Sequence, residues 1–240
     1  MNICQETNIR IQLIYYGKHT PEIDSIILSV HPRYLIGNTA HGLWGEVYGH
    51  DMKWLLQDAT RFQQAGIKVI GYLTSGYEGM GSGSSIELKW YTLKMNKKLI
   101  WNMAKKDKID GVFIDECTSY PDIQSKKYLK ELSNLAHNLG LMVWGNVGLN
   151  DFDEWFFTDG GFDMMNSSEN WCGQILAPVQ QKWGYRICVT GFHPAYTAAD
   201  ACRLTRDAWN KGLSCAYISN DEYMQLPVWI QDEISLLRTG

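Results

Sequence analysis

The sequence predicts an α/β protein folded as one (β/α)8 TIM barrel, with residues 1–240 forming a single barrel domain. Short apolar runs rich in β-branched and aromatic residues alternate along the chain with longer stretches of helical periodicity. Eight such runs in 240 residues leave about 30 residues for each unit, the length of a strand, a helix and their loops. A helix, a glycine and then a strand follow one another at Gly66, Gly140 and Gly212, the junction expected in a repeating βα architecture.

Eight strands are predicted from near-continuous hydrophobicity, the pattern of strands that are buried on both faces of a parallel sheet. In chain order they are residues 11–16, 25–31, 68–74, 111–115, 141–146, 162–167, 186–190 and 213–219. The alternative is an open, doubly wound sheet, which usually carries a glycine-rich phosphate loop after an early strand. The first predicted strand instead ends in Tyr15-Tyr16-Gly17-Lys18, so the barrel is favoured.

The helical patterns fall between these strands. Helices are predicted over residues 50–65, 84–106, 123–139 and 198–211. The second begins at Ser84 or Ser85, which suit an N-cap, and the other three end directly before glycine. A Gly/Ser-rich stretch at residues 76–85 lacks the Lys-Ser/Thr ending of a P-loop. It is predicted to be a flexible loop at the rim of the site.

Charge and hydropathy exclude several classes of partner. The formal net charge is −4, and the densest group of lysines, within residues 97–108, is typical of a solvated helix face. We therefore expect no nucleic-acid partner. No apolar stretch reaches about 18 residues, so we expect no membrane segment. Residues 1–6 show no basic segment leading into an apolar one, so no export signal is expected in the chain as written, and its localisation stays open.

The cysteines form no recognisable metal or redox motif. None of the six stands in a CxxC pair, which argues against zinc-ribbon and thioredoxin readings. Cys188 and Cys215 lie inside apolar runs, where a buried free thiol is the expected state, with a disulfide as the alternative. This pattern favours a reducing compartment.

Candidate catalytic residues follow from the barrel, because TIM-barrel active sites lie at the carboxyl ends of the strands. The fourth predicted strand ends in two adjacent acids, Asp115 and Glu116. Strand alternation puts Phe113 and Asp115 on one face, so an inward Phe113 would place Asp115 at the barrel mouth. Glu169 lies just beyond the sixth predicted strand and beside Trp171.

Two carboxylates at the mouth of a barrel suit glycosidic bond cleavage. One has to be ionised to attack or stabilise the sugar carbon, and the other has to keep a proton for the leaving oxygen. Trp171 is expected to raise the pKa of Glu169 by desolvation. Carboxyl groups on the fourth and sixth strands could lie about 5 Å apart, as in retaining enzymes, or nearer 9 Å, as in inverting ones.

The aromatic content supports a sugar substrate. The chain has 10 Trp, 13 Tyr and 7 Phe, and an aromatic face with a polar edge fits a pyranose ring. Five of these residues fall at or near predicted strand ends, where a sugar chain could stack. They are Tyr15, Tyr16, Tyr72, Trp144 and Trp171.

Two segments of the sequence resemble a known family. Residues 71–77, GYLTSGY, and residues 110–116, DGVFIDE, resemble the GYVxTxY and DGIFxDE motifs of the spherulin-4-like glycoside hydrolases, which are close to the endo-α-1,4-galactosaminidases. The order and spacing of Asn146 and Glu169 fit as well. The likeness covers roughly the first six strands. It departs after the fifth strand, where Asn146-Val147-Gly148 stands in place of the usual Asn-Pro-Gly, and in the polar residues that precede Glu169.

The resemblance implies a barrel that cleaves an α-linked polysaccharide containing galactosamine or N-acetylgalactosamine. It implies Asp115 as nucleophile or stabiliser, Glu169 as acid/base and Glu116 in support, with Tyr72 and Asn146 in the sugar cleft. We accordingly expect an endo-acting and retaining enzyme that works as a monomer on a polysaccharide or oligosaccharide. No cofactor and no metal are expected.

Two alternatives remain from the sequence. A non-catalytic carbohydrate-binding barrel would keep the aromatic cleft without needing an acid pair. A metal-dependent barrel hydrolase would use His31, His193 and Asp115, although the chain has neither a strand-one HxH nor an HExxH motif.

Overall fold

Eight parallel strands form one sheet in the order β1 to β8, so the predicted (β/α)8 TIM barrel is confirmed. The structure is a computed structural model that describes residues 9–46, 55–56, 59–79, 92–221 and 223–239. Each strand pairs in parallel with the next in the chain. A parallel bridge between Ile11 and Ala216 joins the first strand to the last and closes the ring.

The strands are short and their flanking helices vary in length. The strands are β1 Gln12–Tyr15, β2 Tyr34–Gly37, β3 Lys68–Thr74, β4 Gly111–Asp115, β5 Met142–Asn146, β6 Met164–Asn166, β7 Ile187–Phe192 and β8 Cys215–Ser219. The α-helices in the described ranges are α1 Pro21–Val30, α2 Leu43–Glu46, α3 Thr60–Gln64, α4 Gly76–Gly79, α5 Leu93–Asn102, α6 Ile123–Asn138, α7 Trp155–Thr158, α8 Pro178–Trp183, α9 Ala198–Asn210 and α10 Ile230–Thr239. A π-helical turn, Met103–Asp107, continues α5, and a 3-10 turn, Gly184–Arg186, follows α8. None of the described helices is both long and apolar enough to cross a membrane.

One predicted strand is wrong. Residues 25–31 belong mostly to the helix α1, and the second strand lies further along, at Tyr34–Gly37. The helix begins at Thr20, whose hydroxyl accepts a hydrogen bond from the Ile23 N–H at 3.3 Å, and at Pro21, which suits the first helical position. It ends at His31 in the left-handed conformation. An apolar run of this length fits either element, and here the capping residues decide it.

The other predictions agree with the structure in outline. Seven predicted strands coincide with β1 and with β3 to β8 within a few residues. Gly66, Gly140 and Gly212 all have φ near +80°, so each ends its helix in the left-handed conformation that glycine adopts without strain. Of the helix predicted at residues 50–65, the structure shows only α3. Residues 47–54 and 80–91, which include the predicted N-cap serines, lie outside the described ranges.

The barrel interior is filled by one alternating set of side chains from the strands. Phe113 of β4 and Trp144 of β5 are register partners with ring centroids 6.4 Å apart, and Tyr34 of β2 meets Trp144 edge-on at 4.8 Å across the barrel. Strand alternation therefore directs Asp115, two residues after Phe113, to the same interior side at the carboxyl-end rim. This is the position predicted for it.

The cysteines differ from the prediction. Cys188 of β7 and Cys215 of β8 are register partners and form a disulfide, so they are not the free thiols expected. Both are fully buried and share a strand level with Asn166 of β6. Pairing of neighbouring strands brings two cysteine side chains together, which the apolar runs around them do not reveal. A disulfide also removes the argument for a reducing compartment.

Candidate active site at the carboxyl ends of the strands

Asp115 ends β4 and accepts three hydrogen bonds. Its Oδ1 accepts from the Asn146 amide at 2.6 Å and from the Glu116 backbone N–H at 2.8 Å. Its Oδ2 accepts from the Tyr72 hydroxyl at 2.9 Å. Burial raises the pKa of Asp115 above its ordinary value, and these three donors act in the opposite direction because they favour the ionised form. The carboxyl is therefore a desolvated group whose anion is well supplied with donors.

Glu116 leaves the strand in an unusual conformation. Its φ is 55°, a left-handed value that is uncommon for residues other than glycine. Its carboxylate accepts a hydrogen bond from the Thr74 hydroxyl at 2.7 Å, and its carbonyl oxygen accepts from the Ser75 hydroxyl at 2.8 Å. The conformation turns the Glu116 side chain toward the end of β3, away from that of Asp115. Asp115 and Glu116 thus both lie at the rim, and their carboxylates accept hydrogen bonds from different residues.

Glu169 reaches the same rim from the loop after β6. Its Oε1 accepts a hydrogen bond from the Asn146 amide at 2.7 Å, and its carboxyl lies against Gly148, which has φ of +64°. Desolvation of this carboxyl raises the pKa of Glu169, the Asn146 donor lowers it, and the charges of Asp115 and Glu116 raise it further. The net shift is upward, although the side chain has surface exposed to solvent. Glu169 thus has one donor that favours its anion, against two nearby negative charges that favour its protonated form.

One amide nitrogen fixes the separation of the two acids. Asn146 Nδ2 donates to Asp115 Oδ1 at 2.6 Å and to Glu169 Oε1 at 2.7 Å. The two oxygens are therefore at most 5.3 Å apart, the length of both bonds laid end to end. Asn146 was predicted as a residue of the sugar cleft, and the structure places its side chain between the acids.

Tyrosines surround the pair on the side of β1, β3 and β8. Tyr16 and Tyr72 have ring centroids 4.9 Å apart, and Tyr16 meets Tyr223 at 6.0 Å. The Tyr16 N–H donates to the Tyr223 carbonyl oxygen at 2.7 Å, which joins the ends of the first and last units. Burial raises the pKa of Tyr72 well above its ordinary value, and the charge of Asp115 adds to this. Its hydroxyl therefore stays protonated and donates.

Three predicted sugar-binding aromatics lie elsewhere. Trp144 is fully buried inside the barrel, below Asn146 on the same strand. Trp171 is fully buried in the outer layer, where its indole N–H donates to the Leu204 carbonyl of α9 at 3.3 Å. Tyr15 is 3% exposed and its hydroxyl donates to the Lys18 carbonyl. None of the three presents a face on which a sugar could stack. Strand positions direct Trp144 and Tyr15 into packed side chains, and Trp171 is buried in the loop after β6.

The histidines of the metal-dependent alternative are far apart in the fold. His31 follows α1 and its ring contacts the Ala65 carbonyl oxygen. His193 follows β7 and accepts the Ala195 N–H on its Nδ1. In the described part of the chain, no three His, Cys, Asp or Glu side chains are grouped so as to hold a metal ion.

Several site residues escaped the sequence argument. Tyr223 follows β8 in a loop, and only its position after the last strand could have suggested it. Thr74 is the last residue of the third predicted strand, and a polar side chain at that position is its one signal. Gln12 and Asn166 lie inside apolar runs, and their one signal is a polar side chain at an inward position of a buried strand.

Comparison with known proteins identifies the fold. No family model and no curated protein matches the sequence. Among solved structures, Aspergillus clavatus Sph3 in complex with GalNAc is similar with a TM-score of 0.64 and 14% identity, over 96% of this chain and 98% of that one. A Bacteroides thetaiotaomicron chitinase is similar with a TM-score of 0.57 and 10% identity, over 95% of each. A chitinase-like agglutinin from Robinia pseudoacacia gives 0.54 and 11%, over 95% and 100%.

These likenesses define the class of fold. The chain is a TIM barrel, the fold that it shares with a chitinase and a chitinase-like agglutinin. At such low identity the likeness carries the fold alone, so the chemistry has to be argued from the residues at the rim.

Proposed function

We propose that the protein is an endo-acting, retaining glycoside hydrolase that cleaves an α-linked polysaccharide containing galactosamine or N-acetylgalactosamine. The observation that carries the proposal is the acid pair Asp115 and Glu169, bridged by one amide at the mouth of the barrel. The motif resemblance and the similarity to Sph3, which was solved with GalNAc, support the choice of sugar. The protein is proposed to act as a single barrel domain, as a monomer and without a cofactor.

The separation of the acids supports retention of configuration. Retaining enzymes hold their two carboxyl groups about 5–5.5 Å apart, and inverting enzymes need about 6.5–9.5 Å to admit a water. The upper bound of 5.3 Å between Asp115 Oδ1 and Glu169 Oε1 falls in the first range. A nucleophile on one side and an acid on the other then act in two steps.

The hydrogen bonds support a different role for each acid. Asp115 has three donors that stabilise its anion, so it is the nucleophile that bonds to the anomeric carbon as the glycosidic bond breaks. Glu169 has one donor and faces two negative charges, so it holds the proton that passes to the leaving oxygen. Once the sugar is bound to Asp115, the ionised Glu169 takes a proton from water, which attacks the anomeric carbon and releases Asp115.

The other rim residues have supporting roles in this mechanism. Glu116 donates its backbone N–H to Asp115 and contributes the charge that helps keep Glu169 protonated. Tyr16, Tyr72 and Tyr223 are proposed to line the sugar-binding face. The exposed surface of Glu169 leaves the acid open to a substrate that enters from solvent.

A second candidate, a non-catalytic sugar-binding barrel, is favoured by one observation. The agglutinin from Robinia pseudoacacia shares the fold over nearly the whole chain. Such a protein would keep the tyrosine-lined rim and would have no need for two acids held on a common donor.

A polymer screen separates these functions. Wild-type protein is incubated with α-1,4-linked galactosamine polymers of graded N-acetylation, and new reducing ends are measured. We expect cleavage by the wild type and by Glu131→Ala, a control that removes a partly exposed acid paired with Lys97 on the outer helices. Asp115→Ala and Glu169→Ala should each lower the rate of cleavage by at least about 100-fold.

The outcomes divide cleanly. Cleavage near the wild-type rate in either alanine variant would contradict the proposed mechanism. Binding of the polymers without cleavage by the wild type would establish the binding module instead.

A further inference from the structure

Two amide side chains lie inside the barrel, beneath the acids, where apolar residues are the rule. Gln12 of β1 is 0% exposed and Asn166 of β6 is 1% exposed. A buried polar group lowers stability unless its hydrogen bonds are made. The Gln12 Oε1 atom has no hydrogen-bond partner in the described part of the chain. Gln12 is therefore a buried polar side chain with one unsatisfied atom. This cost to stability suggests that its other amide atom, Nε2, has a role.

The other end begins a directed chain of hydrogen bonds. Gln12 Nε2 donates to Asn166 Oδ1 at 3.2 Å, and Asn166 Nδ2 donates to Asn146 Oδ1 at 3.0 Å. Asn146 Nδ2 then donates to Asp115 and Glu169. Asn166 and Asn146 thus each accept from the amide before them and donate to the next group in the series. The chain thus runs across the barrel from β1 to the acid pair.

Backbone groups at both ends fix the direction of this chain. The Val189 carbonyl can only accept, and it accepts from Gln12 Nε2 at 3.2 Å, so the nitrogen of Gln12 has to face that side. The Gly148 N–H can only donate, and it donates to Asn146 Oδ1 at 3.1 Å. A reversed Asn146 amide would place its oxygen against two carboxylates and its nitrogen against two donors.

We propose that Gln12 and Asn166 are positioning residues that hold the Asn146 amide with its nitrogen toward Asp115 and Glu169. Neither touches the acids or the proposed sugar face, so both act through Asn146. This inference rests on the proposed glycosidase function for its kinetic consequence. Its structural content, the orientation of Asn146, can be tested with or without turnover.

Asn166→Leu is the most direct test, because leucine has a similar size and removes both hydrogen bonds. Asn146 then keeps only the Gly148 N–H on its oxygen, and its hold on the acids weakens. The Asn146 amide lowers the pKa of both Asp115 and Glu169, so a weaker hold by Asn146 should raise both pKa values. We expect kcat to fall about tenfold with KM little changed, and the acid limb of the pH–rate profile to move up by about one pH unit.

Two further variants guard against a trivial result. Gln12→Met removes the start of the chain at nearly constant volume and should shift the same acid limb by a smaller amount. Gln180→Met is the matched control, since Gln180 is equally buried and bonds to the Ser167 hydroxyl at 2.8 Å without joining this chain. The control should leave the pH profile in place. Thermal unfolding of each variant shows that it is folded.

Titration of the side-chain carboxyls by carbon NMR supplies a readout that needs no activity. Asp115 and Glu169 signals are assigned with Asp115→Asn and Glu169→Gln, and their midpoints are compared between the wild type and Asn166→Leu. Higher midpoints in the variant support the positioning role of Asn166 even if no polymer is cleaved. In that case only the proposed function fails. Unchanged midpoints in folded Asn166→Leu and Gln12→Met, or an equal shift in Gln180→Met, would overturn the proposed positioning role.

Discussion

The acid pair at the barrel mouth and Glu233 on the outer wall are both desolvated carboxyl groups, and they are treated very differently. Glu233 lies on α10 with 1% exposure, and burial raises its pKa to about 8. Its partner is the Thr205 hydroxyl of α9 at 3.1 Å, and its Oε2 has no hydrogen bond within the described residues. Asp115 by contrast has three donors.

The difference shows that a raised pKa marks burial, whereas donors mark a carboxyl prepared to carry charge. Glu233 is surrounded by helices and has little support for an anion, so it is stable as a neutral acid. Asp115 is desolvated and yet has three donors that favour its anion, the state that a nucleophile needs. Substitutions that remove the ionisable carboxyl at Asp115, at Glu169 and at Glu233 therefore test this difference.

The largest effect is expected from Asp115→Asn. The variant keeps the shape of the side chain and loses the nucleophile, so kcat/KM for polymer cleavage should fall about a thousandfold or more. Initial rates of reducing-end release measure this. Glu233→Gln is the control at the other buried acid and should retain the wild-type rate within about twofold. Equal losses in the two variants would erase the distinction between the regions.

Glu169→Gln tests the acid of the pair. Loss of general acid catalysis should lower kcat by about 100-fold to 10000-fold. Because the pKa of Glu169 is raised, activity in the wild type should fall with rising pH as this group loses its proton. The variant has no proton to lose there, so its residual activity should lack the alkaline limb. A wild-type alkaline limb that persists in the variant would assign the proton to another group.

The disulfide tests whether the barrel interior is stabilised independently of the rim. Replacing Cys188 and Cys215 together by alanine removes a link across 27 residues of sequence and should lower the free energy of unfolding by about 3 kcal/mol. Denaturant titration measures the change. Cys202→Ala, a free buried thiol on α9, should cost less. A reductant that lowers the midpoint of the wild type, but not that of the double variant, would confirm the bond.

Glu233→Gln should have the smallest effect and should depend on pH. The folded-state pKa of Glu233 lies above its unfolded value of about 4.5, so the wild type loses stability as pH rises through the interval up to about 8. Glutamine does not ionise, so the variant should be more stable than the wild type at pH 8.5 and nearly equal to it at pH 4.5. A difference that does not vary with pH would show that Glu233 is not neutral in the fold.

Much of the barrel can be predicted from the sequence because the signals for strands and helix ends are local. Apolar runs located β3 to β8, and three glycines with positive φ ended their helices as predicted. The strand predicted at residues 25–31 is wrong because an apolar run fits either a helix or a strand, and the N-cap Thr20 with Pro21 at the first helical position favours the helix. Local capping, more than hydrophobicity, determined that element.

The site was predictable only where strand alternation applied. Asp115 could be located because it ends a clear strand with Phe113 two residues before it. Trp144 and Trp171 were misplaced because aromatic type does not tell a cleft from a core. The amide chain from Gln12 and the disulfide depend on which strands become neighbours across and around the barrel, which local periodicity does not encode.

The stereochemistry of the first product tests the central claim most directly. Wild-type protein is mixed with an α-linked galactosamine oligomer, and proton NMR follows the anomeric configuration of the newly formed reducing end before it mutarotates. Asp115 Oδ1 and Glu169 Oε1 lie no more than 5.3 Å apart. This short separation favours retention, so the α anomer should appear first. If the β anomer appears first, or if the same product forms with Asp115→Asn, the account of a nucleophile and an acid held on Asn146 is contradicted.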